Sequence, residues 1–336
     1  MLFGITSLIA FAGEYYISPK TGNDANPGNR LQPLKTIAEA ARRINLSISK
    51  AADTIILEEG LYPLTETVLF NNNKFTSDDR LLIKAEILPD DPGWNPQRMP
   101  IITTMIPGLQ TPNNGEEARG LEIEVSHVTI RGLRFTGTPD FYSTDEKTRH
   151  RYYPIWRDGK NLDDLLVTQC LFAGNVDVSP IRVAVIVNGH GLAVDHCVFF
   201  NCENPVVFWN AEGGTSRHNA MRYCLVYGSD YSGVWTTTNT GNDFEFHHNI
   251  IANGRTGWIR DNNSTHNYQL HDCIFTNNMK LTGNGGDNPI SNDFLKMENV
   301  QLKGTIEIEK DRGKNNYLQL KEGSFGSELK AGLFMK

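Results

Sequence analysis

The 336-residue sequence predicts an all-β solenoid, one continuous coil of short stacked strands, and two observations carry that reading. The first is a pattern that recurs seven times between Val128 and Leu302: VTIRGLRF, LVTQCLF, AVDHCVF, MRYCLV, FHHNII, LHDCIF and KMENVQL. One column of it holds Leu133, Cys170, Cys197, Cys224, Asn249, Cys273 and Val300, at spacings of 37, 27, 27, 25, 24 and 27 residues. The second is that both flanking columns are apolar throughout. Three places earlier stand Ile130, Val167, Val194, Met221, Phe246, Leu270 and Met297; two places later stand Phe135, Phe172, Phe199, Val226, Ile251, Phe275 and Leu302. A fixed period of this size marks a fold in which each repeat buries its apolar face only against its neighbours, so the length forms a single domain.

Composition narrows the function classes. The chain is mildly acidic, with a formal net charge of −7, which argues against a nucleic-acid partner. Only the first dozen residues approach a membrane segment. They read MLFGITSLIAFAG, an apolar run ending in Ala10-Phe11-Ala12, the small-x-small form of a signal-peptidase site. No basic residue precedes the run, which leaves room for a start further upstream. We expect residues 1–12 to be an export signal and the mature protein to be a secreted or periplasmic monomer. Four of the five cysteines share one column of the repeat. Stacked rungs hold equivalent Cβ atoms about 4.8 Å apart, beyond the span of a disulfide, so these are read as small buried packers. No Cys-x-x-Cys pair suggests a metal, and Cys202 is left over.

The elements follow in order. Tyr15 to Ser18 read as a strand, then a Gly/Asn/Pro loop, then an amphipathic helix with Thr36 as N-cap and Ile37, Ala40, Ala41 and Ile44 on one face. Such a helix would cap the open end of the coil. The segment DTIILEEGLY then starts the coil with an apolar strand and a Gly turn. We expect the cap over about 14–52, coils over about 53–304 and a closing segment over about 305–336.

Three stretches of this opening, Gly22-Asn23-Asp24-Ala25-Asn26-Pro27-Gly28, Pro33-Leu34-Lys35-Thr36-Ile37 and Asp53-Thr54-Ile55…Gly60-Leu61-Tyr62, form a signature. It resembles the N-terminus of right-handed parallel β-helix proteins of the pectate-lyase-like superfamily. The segment Asn316-Tyr317-Leu318-Gln319-Leu320-Lys321-Glu322-Gly323-Ser324 is similar to their closing segment. The resemblance spans nearly the whole chain and implies a right-handed single-stranded parallel β-helix. For function it implies less, because this architecture serves polysaccharide lyases, glycoside hydrolases and non-catalytic surface proteins.

Between the opening and the repeats, LLIKAE (81–86), MPIITT (99–104) and LEIEVSHVTIRGLRF (121–135) read as irregular early rungs. The insertion 136–154, rich in charge and aromatics, is long enough to be functional. In the resembling fold each rung has three strands, one for each of three sheets, and the Cys/Asn column fits the tight turn between the second and third. Alternation then points Arg131, Thr168, Asp195, Arg222, His247, His271 and Glu298 outward from the second sheet, with Asn219 standing where an apolar inward residue is expected. For the first sheet the same counting puts Ile155, Ile186, Phe208, Trp235 and Ile259 inward. It puts Trp156, Val187, Trp209, Thr236 and Arg260 outward, followed at the turn by Arg157, Asn188, Asn210, Thr237 and Asp261.

Two candidate sites emerge. The first is the outer face of the first sheet. Trp156 and Trp209, two rungs and so about 10 Å apart, offer flat rings to the CH-rich faces of sugars. The loops leading in carry Asp177, Arg182, Glu203, Asp230, Tyr231 and Arg255. Four arginines (Arg157, Arg182, Arg255 and Arg260) on one side of an acidic protein would concentrate an anionic chain, and Asn210 would join Trp156, Arg157, Arg182, Trp209 and Arg255 in binding it. In the resembling lyases this face carries the catalytic groups. The competing reading is a tryptophan packed under the 136–154 insertion. The second candidate is the row Asp195–Arg222–His247–His271 with His196 and His248 beside it, which reads first as a solvated ion-pair ladder and second as a metal site.

β-Elimination from a uronate needs a base beside the carbon next to the carboxylate and a cation to neutralise that carboxylate. Arg260 suits either role, and Arg255, Arg157 or Arg182 would bind flanking carboxylates bidentately. Many proteins of the resembling superfamily use calcium held by clustered aspartates, and this sequence lacks an Asp-Asp-Gly-x-Asp cluster. Hydrolysis needs two carboxylates about 5–9.5 Å apart, which Glu203, Asp230 and Asp261 would supply from successive rungs. The leading expectation is a polysaccharide lyase on a uronate-containing polymer. The alternatives are a glycoside hydrolase and a non-catalytic glycan-binding surface protein.

Overall fold

A computed structural model describes residues 13–106, 109–111, 115–139, 150–175, 177–209 and 214–336. The expected export signal, the middle of the 136–154 insertion and Asn210 lie outside the described residues.

The strands form three parallel sheets, and successive coils stack in sequence order. Among the described residues the second sheet has ten strands, from Glu14–Ile17 to Leu295–Glu298; the third has eight, from Leu61–Leu64 to Ile274–Thr276; the first has nine, from Val68–Phe70 to Lys280–Gly283. Each coil visits the second, third and first sheets in turn, giving a right-handed parallel β-helix. LLIKAE and MPIITT supply the strands Leu81–Ala85 and Ile101–Thr104, as expected.

The opening motif folds as its residue types dictate. The Asp24 carboxylate accepts the Lys35 and Thr36 N–H groups, each at 2.9 Å, and the Thr36 hydroxyl at 2.9 Å. Thr36 in turn accepts the Glu39 N–H at 3.1 Å and caps the helix Ile37–Leu46. A side chain at Gly22 would collide with the Leu34 carbonyl, so only glycine fits there. Ile37, Ala40, Ala41 and Ile44 are buried among Ile55, Val68 and Phe70 of the first coil. The Tyr62 hydroxyl lies 2.9 Å from the carbonyl oxygens of both Ile17 and Glu58, tying the first two rungs together.

The repeat column sits at the turn from second to third sheet. The residue before it is left-handed in all seven repeats: Gly132, Gln169, His196, Tyr223, His248, Asp272 and Asn299, with φ between 45° and 74°. One left-handed residue between two strands turns the chain at a fixed offset. Leu133 and the four column cysteines are fully buried, and all five thiols are free. Each cysteine leans on carbonyls, as Cys197 does on Val167 at 3.5 Å and Asp195 at 3.3 Å. Asn249 does the same with stronger bonds, donating to Met221 O at 2.7 Å and accepting from Cys224 N at 2.9 Å. Inside the third sheet, Phe135, Phe172 and Phe199 stack at 4.9 Å between successive centroids. Truncating one such buried ring costs about 3–5 kcal/mol. The column ends early: Leu302, expected inside, is 46% exposed because the last coil forms no third-sheet strand there.

Candidate functional site

The three outer faces differ in what covers them. Outward residues of the third sheet, Leu171, Val198, Leu225, Ile250 and Ile274, are apolar, and the closing segment packs Ile306, Ile308, Tyr317, Leu318 and Leu333 over them. That face is occupied.

The second sheet presents the expected row Arg131, Thr168, Asp195, Arg222, His247, His271 and Glu298, in register. Glu245, beside it, meets His247 Nε2 at 2.8 Å and Arg222 at 3.5 Å, and Glu298 meets His271 at 3.0 Å. Burial pushes the Glu245 carboxyl up, but the His247 hydrogen bond and the Arg222 charge bring it below the ordinary range. Burial and the neighbouring His247 lower His248. Asn219 does point inward, and its side chain is satisfied: it accepts Leu192 N–H at 3.1 Å and donates to Ser216 Oγ at 2.8 Å. Among the described residues, no group of three or more His, Cys, Asp or Glu side chains is arranged to hold a metal. The lower part of the row, from Arg222 to Glu298, is tied together by these carboxylate contacts.

The first sheet departs from the expected register. Trp156, Ile186, Val207, Trp235 and Ile259 form one row, and Arg157, Val187, Phe208, Thr236 and Arg260 the next. Loops of varying length before the strands shift the count, and the strand Val183–Val187 adds a bend. Ala184 and Val185 both enter the main core, while Val183 and Ile186 on either side belong to a separate outer cluster with Tyr153 and Val207. Two consecutive inward residues defeat a strict period of two. Ile186, Trp235 and Ile259, expected inward, therefore share the outward row of Trp156. Val187, Thr236 and Arg260, expected outward, share the inward row of Phe208.

That shift moves several candidates. Arg157 is 0% exposed. Its Nε donates to Asn188 O at 2.8 Å, while its two terminal nitrogens, also buried, have no hydrogen-bond partner. Burial pushes its guanidinium down to about 10, partly offset by Asp163 and Asp164. It cannot touch a ligand on the outer face. Arg260 turns toward the second-sheet loop, 4.2 Å from the Phe294 ring, with Nη1 donating to His266 O at 3.3 Å. Trp156 is half-buried, with the Arg119 guanidinium 4.0 Å over its ring and Tyr153 at 5.0 Å, so its ring is occupied from within the protein.

What does converge is an aromatic ledge further along the coil. Trp209, 38% exposed, lies 6.4 Å from Trp235, and Tyr231 lies 5.6 Å from Trp235 on the other side. Trp235 Nε1 donates to Asp261 Oδ1 at 2.9 Å, and Tyr231 donates to Gly285 O at 2.6 Å. Trp235 was missed because it was counted inward; the signal available was its place beside Thr236 in an alternating strand. At the strand starts lie the charges. Arg182 is ion-paired with Glu203, Asp230 is exposed, Arg255 reaches Asp287 at 2.5 Å and Lys280 reaches the same carboxylate at 2.8 Å. The Lys280 hydrogen bond, with the Arg255 charge, holds Asp287 below the usual carboxylate range. Asp261 stands at the far ends of the strands, level with Thr237 and so beyond the five-residue strand Ser232–Thr236 that follows Asp230, a length of about 16 Å, so these two do not form a hydrolytic pair. Among the described residues Glu203, Asp261 and Asp287 are not gathered into a group that could hold a calcium ion.

No protein-family model matches the chain, and no curated protein sequence does. Among solved structures, a lacto-N-biosidase from Eubacterium ramulus is similar at 12% identity and a TM-score of 0.51, over 81% of this chain and 53% of that one. A rhamnogalacturonan lyase is similar at 14% identity and 0.47, over 89% of this chain and 63% of that one. A pectate lyase is similar at 12% and 0.43, over 93% and 90%. The chain thus spans 53–63% of the length of the first two. At these identities the likeness concerns the fold, and at that level the resemblance read from the sequence holds. Among the described residues no helix is long and apolar enough to cross a membrane.

Proposed function

We propose that this protein is a carbohydrate-active enzyme that binds a glycan along the outer face of the first sheet, with sugar rings stacked on Trp209, Trp235 and Tyr231. One observation carries the reading. This ledge lies on the outer face that, among the described residues, neither the closing segment nor the charge ladder takes up. Indole and phenol rings beside polar groups suit pyranose faces.

The reaction we put first is β-elimination from a uronate-containing polysaccharide. With Arg157 and Arg260 turned away, Arg182, Arg255 and Lys280 remain to hold uronate carboxylates, which would displace Glu203 and Asp287 from them. Asp230 takes the role of base in this reading. Hydrolysis is the second reading, favoured by Glu203 and Asp230 lying on adjacent coils, where Tyr231 N–H donates to Glu203 O at 3.0 Å.

The test is incubation with pectic, alginate and glycosaminoglycan panels. New ultraviolet absorbance from an unsaturated uronate marks elimination; reducing ends without it mark hydrolysis. Retention on glycans without product would leave a binding protein, and neither product nor retention on any panel would overturn the proposal.

A further inference from the structure

A cluster at the first rung plays no part in the glycan reading. The side chains of Asp53 and Lys74 are only 4% and 6% exposed, with Lys74 Nζ 2.5 Å from Asp53 Oδ2. The other carboxylate oxygen, Oδ1, accepts the Gly13 N–H at 3.2 Å. Gly13 is itself fixed, since its carbonyl accepts Thr54 N–H at 2.9 Å at the head of the second sheet. A Cβ at residue 13 would stand 2.8 Å from the Tyr15 ring and 3.1 Å from Asp53 Oδ1, so this close approach needs glycine. In sequence, Gly13 directly follows Ala10-Phe11-Ala12, the small-x-small run.

We propose that Asp53 is a receptor for the α-ammonium group that appears when the chain is cut between Ala12 and Gly13. The proposal rests on the reading of residues 1–12 as an export signal. An export peptidase of small-x-small specificity adds water across the Ala12–Gly13 amide; Ala12 leaves as a carboxylic acid and Gly13 keeps the amine, which takes up a proton. A neutral N–H at 3.2 Å then becomes a charged donor to a carboxylate, a hydrogen bond roughly twice as strong. Gly13 is partly exposed, so the new charge keeps water on one side, while Asp53 then has a cation beside each oxygen. The other titratable group against Asp53 is Tyr15, whose hydroxyl is raised by burial and then by Asp53, with Arg43 opposing. In this arrangement the uncut chain already makes the Gly13–Asp53 contact, and processing turns it into a charged one.

Pairing raises the α-amino pKa above its ordinary value of about 8. Its stabilisation is therefore full below that value and lost as pH rises through the higher folded-state pKa. The experiment compares two chains beginning at Gly13, one with a free amine and one acetylated on the Gly13 nitrogen. At about pH 6 the free form should melt roughly 2–4 °C higher, and the gap should close near pH 10. Equal melting at both pH values would overturn the receptor. Asp53→Asn should abolish the gap, and the acetylated chain keeps the test valid if that variant fails to fold. N-terminal sequencing of the exported protein should read Gly13-Glu14-Tyr15; any other start overturns the processing step. Neither result depends on the glycan assays.

Discussion

Replacing Trp209 by alanine probes the ledge with the least damage to the fold. The ring sits just past a first-sheet strand and is 38% exposed. With about 250 Å² for a tryptophan side chain, some 95 Å² faces solvent and is available to a ligand. At about 25 cal/mol per Å², covering that area contributes at most about 2.4 kcal/mol. Half coverage by one sugar ring gives about 1.2 kcal/mol. The expected loss in glycan affinity for Trp209→Ala is therefore about 8- to 60-fold. Isothermal titration with the polymer that gives product in the panel measures it, and thermal melting checks that the fold is retained. Affinity within twofold of the unsubstituted protein, at unchanged melting temperature, would refute the stacking argument.

Three further outcomes follow from other parts of the structure. Asn249→Ala leaves the buried Cys224 N–H without its acceptor and Met221 O without one of its donors, so equilibrium urea unfolding should show a loss of about 2–4 kcal/mol; a loss under about 0.5 kcal/mol would contradict the ladder. Arg157→Met removes a buried cation with two unpartnered nitrogens, and should leave glycan binding unchanged and stability equal or higher; lost binding would return Arg157 to the site. Asp164 is pushed up by burial but pulled further down by hydrogen bonds from Arg80 and His127, for a net depression. Its contribution is present above the unfolded value of about 3.9 and lost as pH falls below it. The stability difference between the parent and Arg80→Ala should thus shrink in acid, and a difference constant from neutral pH to about pH 3 would contradict this.

The second-sheet register was legible because one left-handed residue precedes the Cys/Asn column in all seven repeats, so counting back from the column lands on the same face each time. The opening was legible for a similar reason, since Asp24, Thr36 and Tyr62 each make bonds that only their residue types supply. The first sheet was not. The loops before its strands vary in length, and the strand Val183–Val187 has a bend with two successive inward residues. A one-residue slip exchanges the faces of a strand. Here it hid Trp235 and displayed Arg260 on a surface it does not face, while Arg157, expected at the turn, is buried. The pairing of Arg182 with Glu203 and of Arg255 with Asp287 was beyond reach as well, because it depends on loops whose lengths follow no period. The chemical class of the ledge was visible in composition, but its membership was not.

The central claim is that a glycan lies on the first-sheet ledge. Its most direct test is a crystal structure of the protein soaked with an oligosaccharide of the polymer it retains or cleaves. The account predicts a sugar ring stacked on Trp209 or Trp235, with its polar groups toward Asp261 or the Arg182 and Arg255 edge. A sugar bound instead along the His247–His271 row would contradict it.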